Sequence, residues 1–95
     1  MKISEILTDR SKWTKGMYAK DSRGKKVGVD DPSAKRFCLV GAAKKAGVEL
    51  KLLQWFDRQE KRLDWTDGII AWNDEPRRTF LQVRRLVRAF ERGLR

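Results

Sequence analysis

Histidine is absent from this sequence, and cysteine occurs once, at Cys38. A single thiol cannot close an intramolecular disulfide, which excludes a small secreted scaffold held by cross-links. A zinc site would have to be assembled from one thiolate and carboxylates, so neither a metal nor any other cofactor is expected. The imidazole that ordinarily activates a serine or cysteine nucleophile is also missing. Apolar runs near the length of a bilayer span are lacking, as is a basic segment followed by an apolar stretch at the N-terminus. The expectation is therefore a cytoplasmic protein with no membrane partner. The motif RGKKVG is basic, yet it lacks the spacing and the strand-to-helix setting of a phosphate loop.

What is present is enough for one folded domain. The 95 residues include four Trp and four Phe, which argue against disorder even with 38% charged residues. Formal charge is +10 and it is uneven. Residues 77–95 carry seven arginines, one glutamate and no lysine, whereas residues 1–76 carry sixteen bases against twelve acids. A field of this kind attracts polyanions or acidic protein surfaces.

Along the chain, Ile3, Ile6 and Leu7 stand at helical spacing, predicting a short helix or turn at the start. Residues 13–29, WTKGMYAKDSRGKKVGV, read as a β-hairpin with Asp21 and Gly24 in its turn and Gly16 and Gly28 as bends at its ends. An Asp cap, Pro32 and a Gly47 terminator then predict a helix over about 33–46. Ala34, Cys38, Gly41 and Ala42 would give it a face on which another backbone can come close, marking it as the central helix. Leu52, Trp55, Phe56 and Leu63 predict a second helix over about 48–63, with Asp57 and Lys61 paired on its wet side. Residues 64–76 read as an irregular acidic segment that packs down through its tryptophans and isoleucines. Thr79 and Gln82 form a capping box ahead of a third helix over about 79–93. The architecture expected is α+β: a small single domain, spanning residues 1–95, with an N-terminal β-hairpin packed on three main α-helices.

That last helix carries the functional signal. At about 100° per residue, Phe80, Val83, Leu86, Val87, Phe90 and Leu94 fall on one arc, and Arg84, Arg85, Arg88, Arg92 and Arg95 fall on a neighbouring one. Guanidinium presents a planar fork of donors that suits phosphate or carboxylate, which ammonium does not. Arg77 and Arg78 extend the stripe, and Arg23, Lys25 and Lys26 at the hairpin tip form a second candidate contact. Three readings compete for the stripe. It is a solvated face that suits the C-terminal end of the helix dipole and is partly neutralised by residues 64–75; or it binds nucleic-acid phosphates; or it binds an acidic protein surface, with an exposed Trp beside the arginines as anchor. A helix-turn-helix formed by the two preceding helices is disfavoured, because the would-be recognition helix has a polar face of mixed sign. An amphipathic C-terminal helix is also compatible with a homodimer seam.

An enzyme reading fares worse. Cys38 reads as a small buried hydrophobe, and Asp21, Asp30, Asp31, Asn73 and Asp74 read as turn and cap residues. A pocket gathering Asp30, Asp31 and Asp74 is the one carboxylate constellation that would support a small enzyme instead.

Two strings of residues carry a resemblance. Trp13, Gly16, Ala19, Asp21, Gly24, Asp31, Ala34, Phe37, Cys38, Gly41 and Ala42 make the first. Trp72, Asn73, Asp74, Pro76, Arg78, Thr79 and Val83 make the second, W-N-D-x-P-x-R-T-x-x-x-V. Over about residues 13–89 the chain resembles a family of small uncharacterised proteins found in bacteriophages and actinobacteria, to which no activity is assigned. The arginine stripe departs from that pattern. The resemblance implies a phage or mobile-element origin, a site of action in the host cytoplasm, and a non-enzymatic binder. Such a binder either holds nucleic acid or blocks an acidic host complex in the manner of an anti-defence or anti-CRISPR protein.

Overall fold

We describe the protein from a computed structural model that defines residues 1–63 and 68–93, with the backbone alone for residues 60–63. Expectations for the side chains of Lys61 and Leu63, and for Asp64, Asp67, Leu94 and Arg95, lie outside the described residues.

The opening apolar triplet folds into helix α1 (Ile3–Ile6), a single turn that buries Ile3 and, just beyond it, Leu7. Asp9 then caps a 3-10 turn at Arg10–Lys12, its carboxylate accepting the Ser11 N–H at 2.9 Å. Strand β1 (Ala19–Lys20) leads into the turn expected around Asp21: its carboxylate accepts the N–H groups of Arg23 and Lys25, each at 2.9 Å, and the Gly24 N–H returns to the Asp21 carbonyl.

The strand pairing differs from the expected hairpin over 13–29. Beyond the turn the return arm makes one bridge, Lys20 with Lys26, and a Val27 N–H bond to the Ala19 carbonyl. Strand β1 finds its ladder partner in β2 (Arg36–Phe37), antiparallel, with Ala19 opposite Phe37 and Lys20 opposite Arg36. The reason lies at Asp31-Pro32-Ser33, which closes a tight turn instead of starting a helix. Asp31 accepts from Ser33, and the Ala34 N–H bonds to the Asp31 carbonyl. The chain therefore arrives extended along the far edge of β1.

Helix α2 (Leu39–Ala46) starts six residues later than the expected 33, with Cys38 as its cap. The Cys38 sulfur accepts the Gly41 N–H at 3.2 Å. Its C-terminus is as expected: Gly47 takes a left-handed φ of 75° and its N–H returns to the last turn. Leu39, Val40, Gly41, Ala42 and Ala43 are all buried, so this short helix is the centre of the molecule. A Cβ on Gly41 would stand 1.9 Å from the Tyr18 carbonyl oxygen. Only hydrogen fits there, which is why the helix tolerates a poor helix former.

Helix α3 (Glu49–Leu63) buries Leu52 and Phe56, and a Lys44–Glu49 ion pair at 2.9 Å spans the joint with α2. The segment read as irregular contains helix α4 (Gly68–Asp74), which buries Ile69 and Asn73. Helix α5 (Phe80–Gly93) follows the expected capping box, with Thr79 N–H to Gln82 Oε1 at 2.9 Å and Gln82 N–H to Thr79 Oγ1 at 3.3 Å. Val83, Val87 and Phe90 enter the core. Helix α2 packs on α1, α3 and α4, while α5 lies along α1. The radius of gyration, 12.6 Å, is close to the roughly 12.4 Å expected of one compact body of this length. The α+β class with two antiparallel strands and several helices thus stands.

Candidate functional site

On α5 the two arcs separate as the sequence predicts. Val83, Val87 and Phe90 are buried and Phe80 and Leu86 half-buried, while Arg84, Arg85, Arg88 and Arg92 are exposed. Among the described residues none of these four guanidinium groups has a hydrogen bond or ion pair with another side chain. Leu81, 54% exposed, stands in the same arc. Arg84 and Arg88 line a depression of about 190 Å³ between α1 and α5, together with Thr8 and Phe80. The one acid of the helix, Glu91, accepts the Ser4 N–H at 3.2 Å and so ties α5 to α1.

The remaining basic candidates divide. Arg77 is exposed just before α5. Arg78 is committed to the fold: its Nε donates to the Trp72 carbonyl at 2.8 Å and its guanidinium lies 4.0 Å from the Trp72 ring. It fastens the end of α4 and is not a loose member of the stripe. Arg23 and Lys25 are exposed in the 21–25 turn and Lys26 is exposed just after it, on a different part of the chain from α5. Lys26 lines a cavity of about 190 Å³ with Cys38, Asn73 and Asp74.

That cavity brings together a thiol, an amide and a carboxylate, and the last two are already engaged. Asn73, 1% exposed, accepts at Oδ1 from the Trp13 indole N–H (2.8 Å) and the Leu39 N–H (3.1 Å). Its Nδ2 donates to the Thr14 carbonyl (3.2 Å) and to Asp74 (2.9 Å). Two donors on one side and two acceptors on the other fix the amide orientation. Asp74 also accepts the Gly16 N–H at 3.0 Å. Burial pushes the Cys38 thiol above its ordinary value of 9.0, against weaker help from nearby backbone N–H groups. It is a thiol at neutral pH, the opposite of a nucleophile poised to attack.

The carboxylate constellation does not assemble. Asp74 lines the cavity, but Asp31 is spent on Ser33, and no group of three or more His, Cys, Asp or Glu that could hold a metal occurs among the described residues. Among the described residues no exposed Trp stands as an anchor for a protein partner, and Trp65 lies outside them. Trp13 packs on Phe80, Trp55 on Phe90 and Trp72 on Phe56, and all three are half-buried.

The sequence reading missed a second basic surface. Arg10, Lys15, Lys20, Arg36 and Arg78 line a shallow groove of about 740 Å³ beside Trp13. These residues are spread over most of the chain, and the available signal was regional charge, nine bases against three acids over residues 10–36.

A sequence profile of a family of unknown function, DUF6197, matches residues 2–92. The chain belongs to DUF6197. No curated protein and no solved structure matches it. The match reaches beyond the stretch 13–89 that carried the resemblance. In this DUF6197 member the string from Trp72 to Thr79 is a joint: Asn73 and Asp74 hold the N-terminal segment, Arg78 closes α4 and Thr79 opens α5. No described helix is long and apolar enough to cross a membrane.

Proposed function

We propose that this DUF6197 protein is a non-enzymatic binder of nucleic-acid backbone that docks through α5. The observation that carries the reading is the set of exposed guanidinium groups of Arg84, Arg85, Arg88 and Arg92, which have no partner among the described residues. Arg77 adds charge at the start of the helix. A side chain that served a solvated face alone would gain nothing from being arginine throughout; the forked donor set matters when phosphate is the acceptor. The one amide beside the stripe, Gln82, is spent on the capping box, so no amide of α5 is left to address adenine and the arginines are read as contacts to backbone.

The test is anisotropy of a labelled oligonucleotide across a salt series. Four phosphate contacts on a single strand predict a log–log slope of about −2.8, so affinity falls roughly 50-fold between 50 and 200 mM KCl and varies little with base sequence. The Arg84→Glu/Arg88→Glu/Arg92→Glu variant should lose both affinity and slope. Binding that is unchanged in that variant would overturn the proposal.

Exposed Leu81 within the stripe favours one second reading, docking on an acidic protein surface with Leu81 as the apolar contact. In a phage or mobile-element setting that partner is a host complex met in the cytoplasm, and the protein an inhibitor or adaptor. A pull-down that survives nuclease and is lost in Leu81→Ser supports this alternative over the first.

A further inference from the structure

The groove beside Trp13 raises its own question. Its lining includes five cations, Arg10, Lys15, Lys20, Arg36 and Arg78, and no carboxylate. Lys20 and Arg36 are directly opposite in the two-stranded ladder, and Lys20 is bridged on its other side to Lys26. Like charges facing across a ladder oppose folding. An anion set against the pair relieves that repulsion, and no described side chain supplies one, since neither Lys20, Arg36 nor Arg10 has an ion pair among the described residues.

Two of the other cations are already fixed in place. Lys15 Nζ donates to the carbonyls of Glu75 (2.8 Å) and Pro76 (3.2 Å) and lies 5.4 Å from the Trp13 ring. Arg78 is held against Trp72 through its Nε. Charges immobilised before a ligand arrives lose little freedom when it binds. Acids adjacent to the groove residues in the chain are engaged elsewhere: Asp9 is held by Ser11 and Thr8, Asp21 accepts the Arg23 and Lys25 N–H groups, and Lys15 meets the Glu75 carbonyl.

The groove also meets the α5 surface. Phe80, which lines the depression holding Arg84 and Arg88, packs its ring 6.2 Å from that of Trp13, which lines the groove. Thr8 lines one depression and Arg10 the other, two residues apart. We propose that the groove holds a second stretch of the same phosphodiester backbone, so that a strand runs from Arg84 and Arg88 across the Phe80–Trp13 junction to the Lys20–Arg36 pair. The inference rests on the nucleic-acid reading of α5. A wide, shallow, cationic channel suits an extended chain of phosphates better than a small ligand, which wants an enclosed and largely apolar site.

The experiment uses the full chain and a labelled 20-nucleotide strand, with Lys20→Glu and Arg10→Glu as groove variants and the α5 triple variant alongside. Lys20→Glu should weaken binding at least tenfold at 50 mM KCl and make the salt slope shallower by about one to two contacts. It should melt no lower than the wild type, because the new carboxylate faces Arg36 and Lys26. Equal affinity and slope in both groove variants, with the α5 variant impaired, overturns the groove and leaves the helix standing. An unimpaired α5 variant with weakened groove variants overturns the helix, and with it the continuous path, and leaves the groove as the contact by itself. No binding by the wild type at 50 mM KCl overturns both. Displacement of the strand by inorganic phosphate, beyond that by KCl of equal ionic strength, marks a free-phosphate site and overturns the strand.

Discussion

Asn73 concentrates more of the fold in one side chain than any other polar residue described. Its amide joins Trp13, Thr14 and Leu39, so three separate segments converge on α4. Removing it strands an indole N–H, a backbone N–H and a backbone carbonyl, each costing about 1–3 kcal/mol when buried without a partner. Asn73→Ala is therefore expected to destabilise by at least about 3 kcal/mol, read from urea unfolding. Asn73→Asp keeps the acceptor but loses the donor and places a second carboxylate against Asp74, so it should not rescue. At Gly41 the sign of an ordinary effect reverses. Gly→Ala within a helix usually gains about 1 kcal/mol, but here the methyl meets the Tyr18 carbonyl, and a loss of about 3 kcal/mol is expected in the same assay. Cys38 was legible as a buried small residue and not as a cap. Sulfur is a weak acceptor, and the Asp-Pro-Ser seven residues before it is a stronger helix signal that happens to close a turn.

Among the elements, α5 was legible almost in full, because its evidence is local: a capping box, a 3.6-residue apolar period and a segregated charge. Thr79→Ala should cost about 1 kcal/mol, seen as a lower denaturation midpoint with unchanged m-value. The arginine substitutions on the outer face should leave stability within about 0.5 kcal/mol of wild type, since the side chains are exposed and hydrogen-bond no described side chain. Helix α4 was not legible. Seven residues cannot show a convincing period, and its C-terminal end is finished from outside the helix: Lys15, about 60 residues earlier, takes the carbonyls just past its last residue and Arg78 that of Trp72. The same non-locality hid the β1–β2 pairing and the basic groove. Both join residues whose neighbours in the chain point to other structures, Asp31 to a helix and Asp21 to a closed hairpin.

At the scale of the molecule, charge sets the response to pH. Hydrogen bonds from Ser11 hold the Asp9 carboxyl below its ordinary 3.8, and those from Ser33 do the same for Asp31. Both favour the folded chain while ionised, so their contribution is present above about pH 3.8 and is lost as pH falls through their lowered folded values. Repulsion within a chain of net charge +10 grows in the same direction as carboxylates are neutralised. On the alkaline side the buried Cys38 thiol resists ionisation. The unfolded chain gives up that proton near 9.0, so stability falls from there, and the Lys44–Glu49 pair, which raises Lys44 above 10.5, is lost at higher pH still. A thermal-melt series should show a plateau between about pH 5 and 9 with shoulders on both sides. A midpoint that climbs below pH 4 would contradict the assignments of Asp9 and Asp31.

The contact between Ser4 and Glu91 spans 87 positions of sequence and sets α1 beside α5. Tension applied to the two ends of the chain would therefore load this terminal contact first and peel α1 from α5 like a zipper rather than shear the centre. The first step of mechanical unravelling should come at low force and uncover Ile3, Leu7 and Val87, while α2 and α3 stay closed around Leu39 and Phe56.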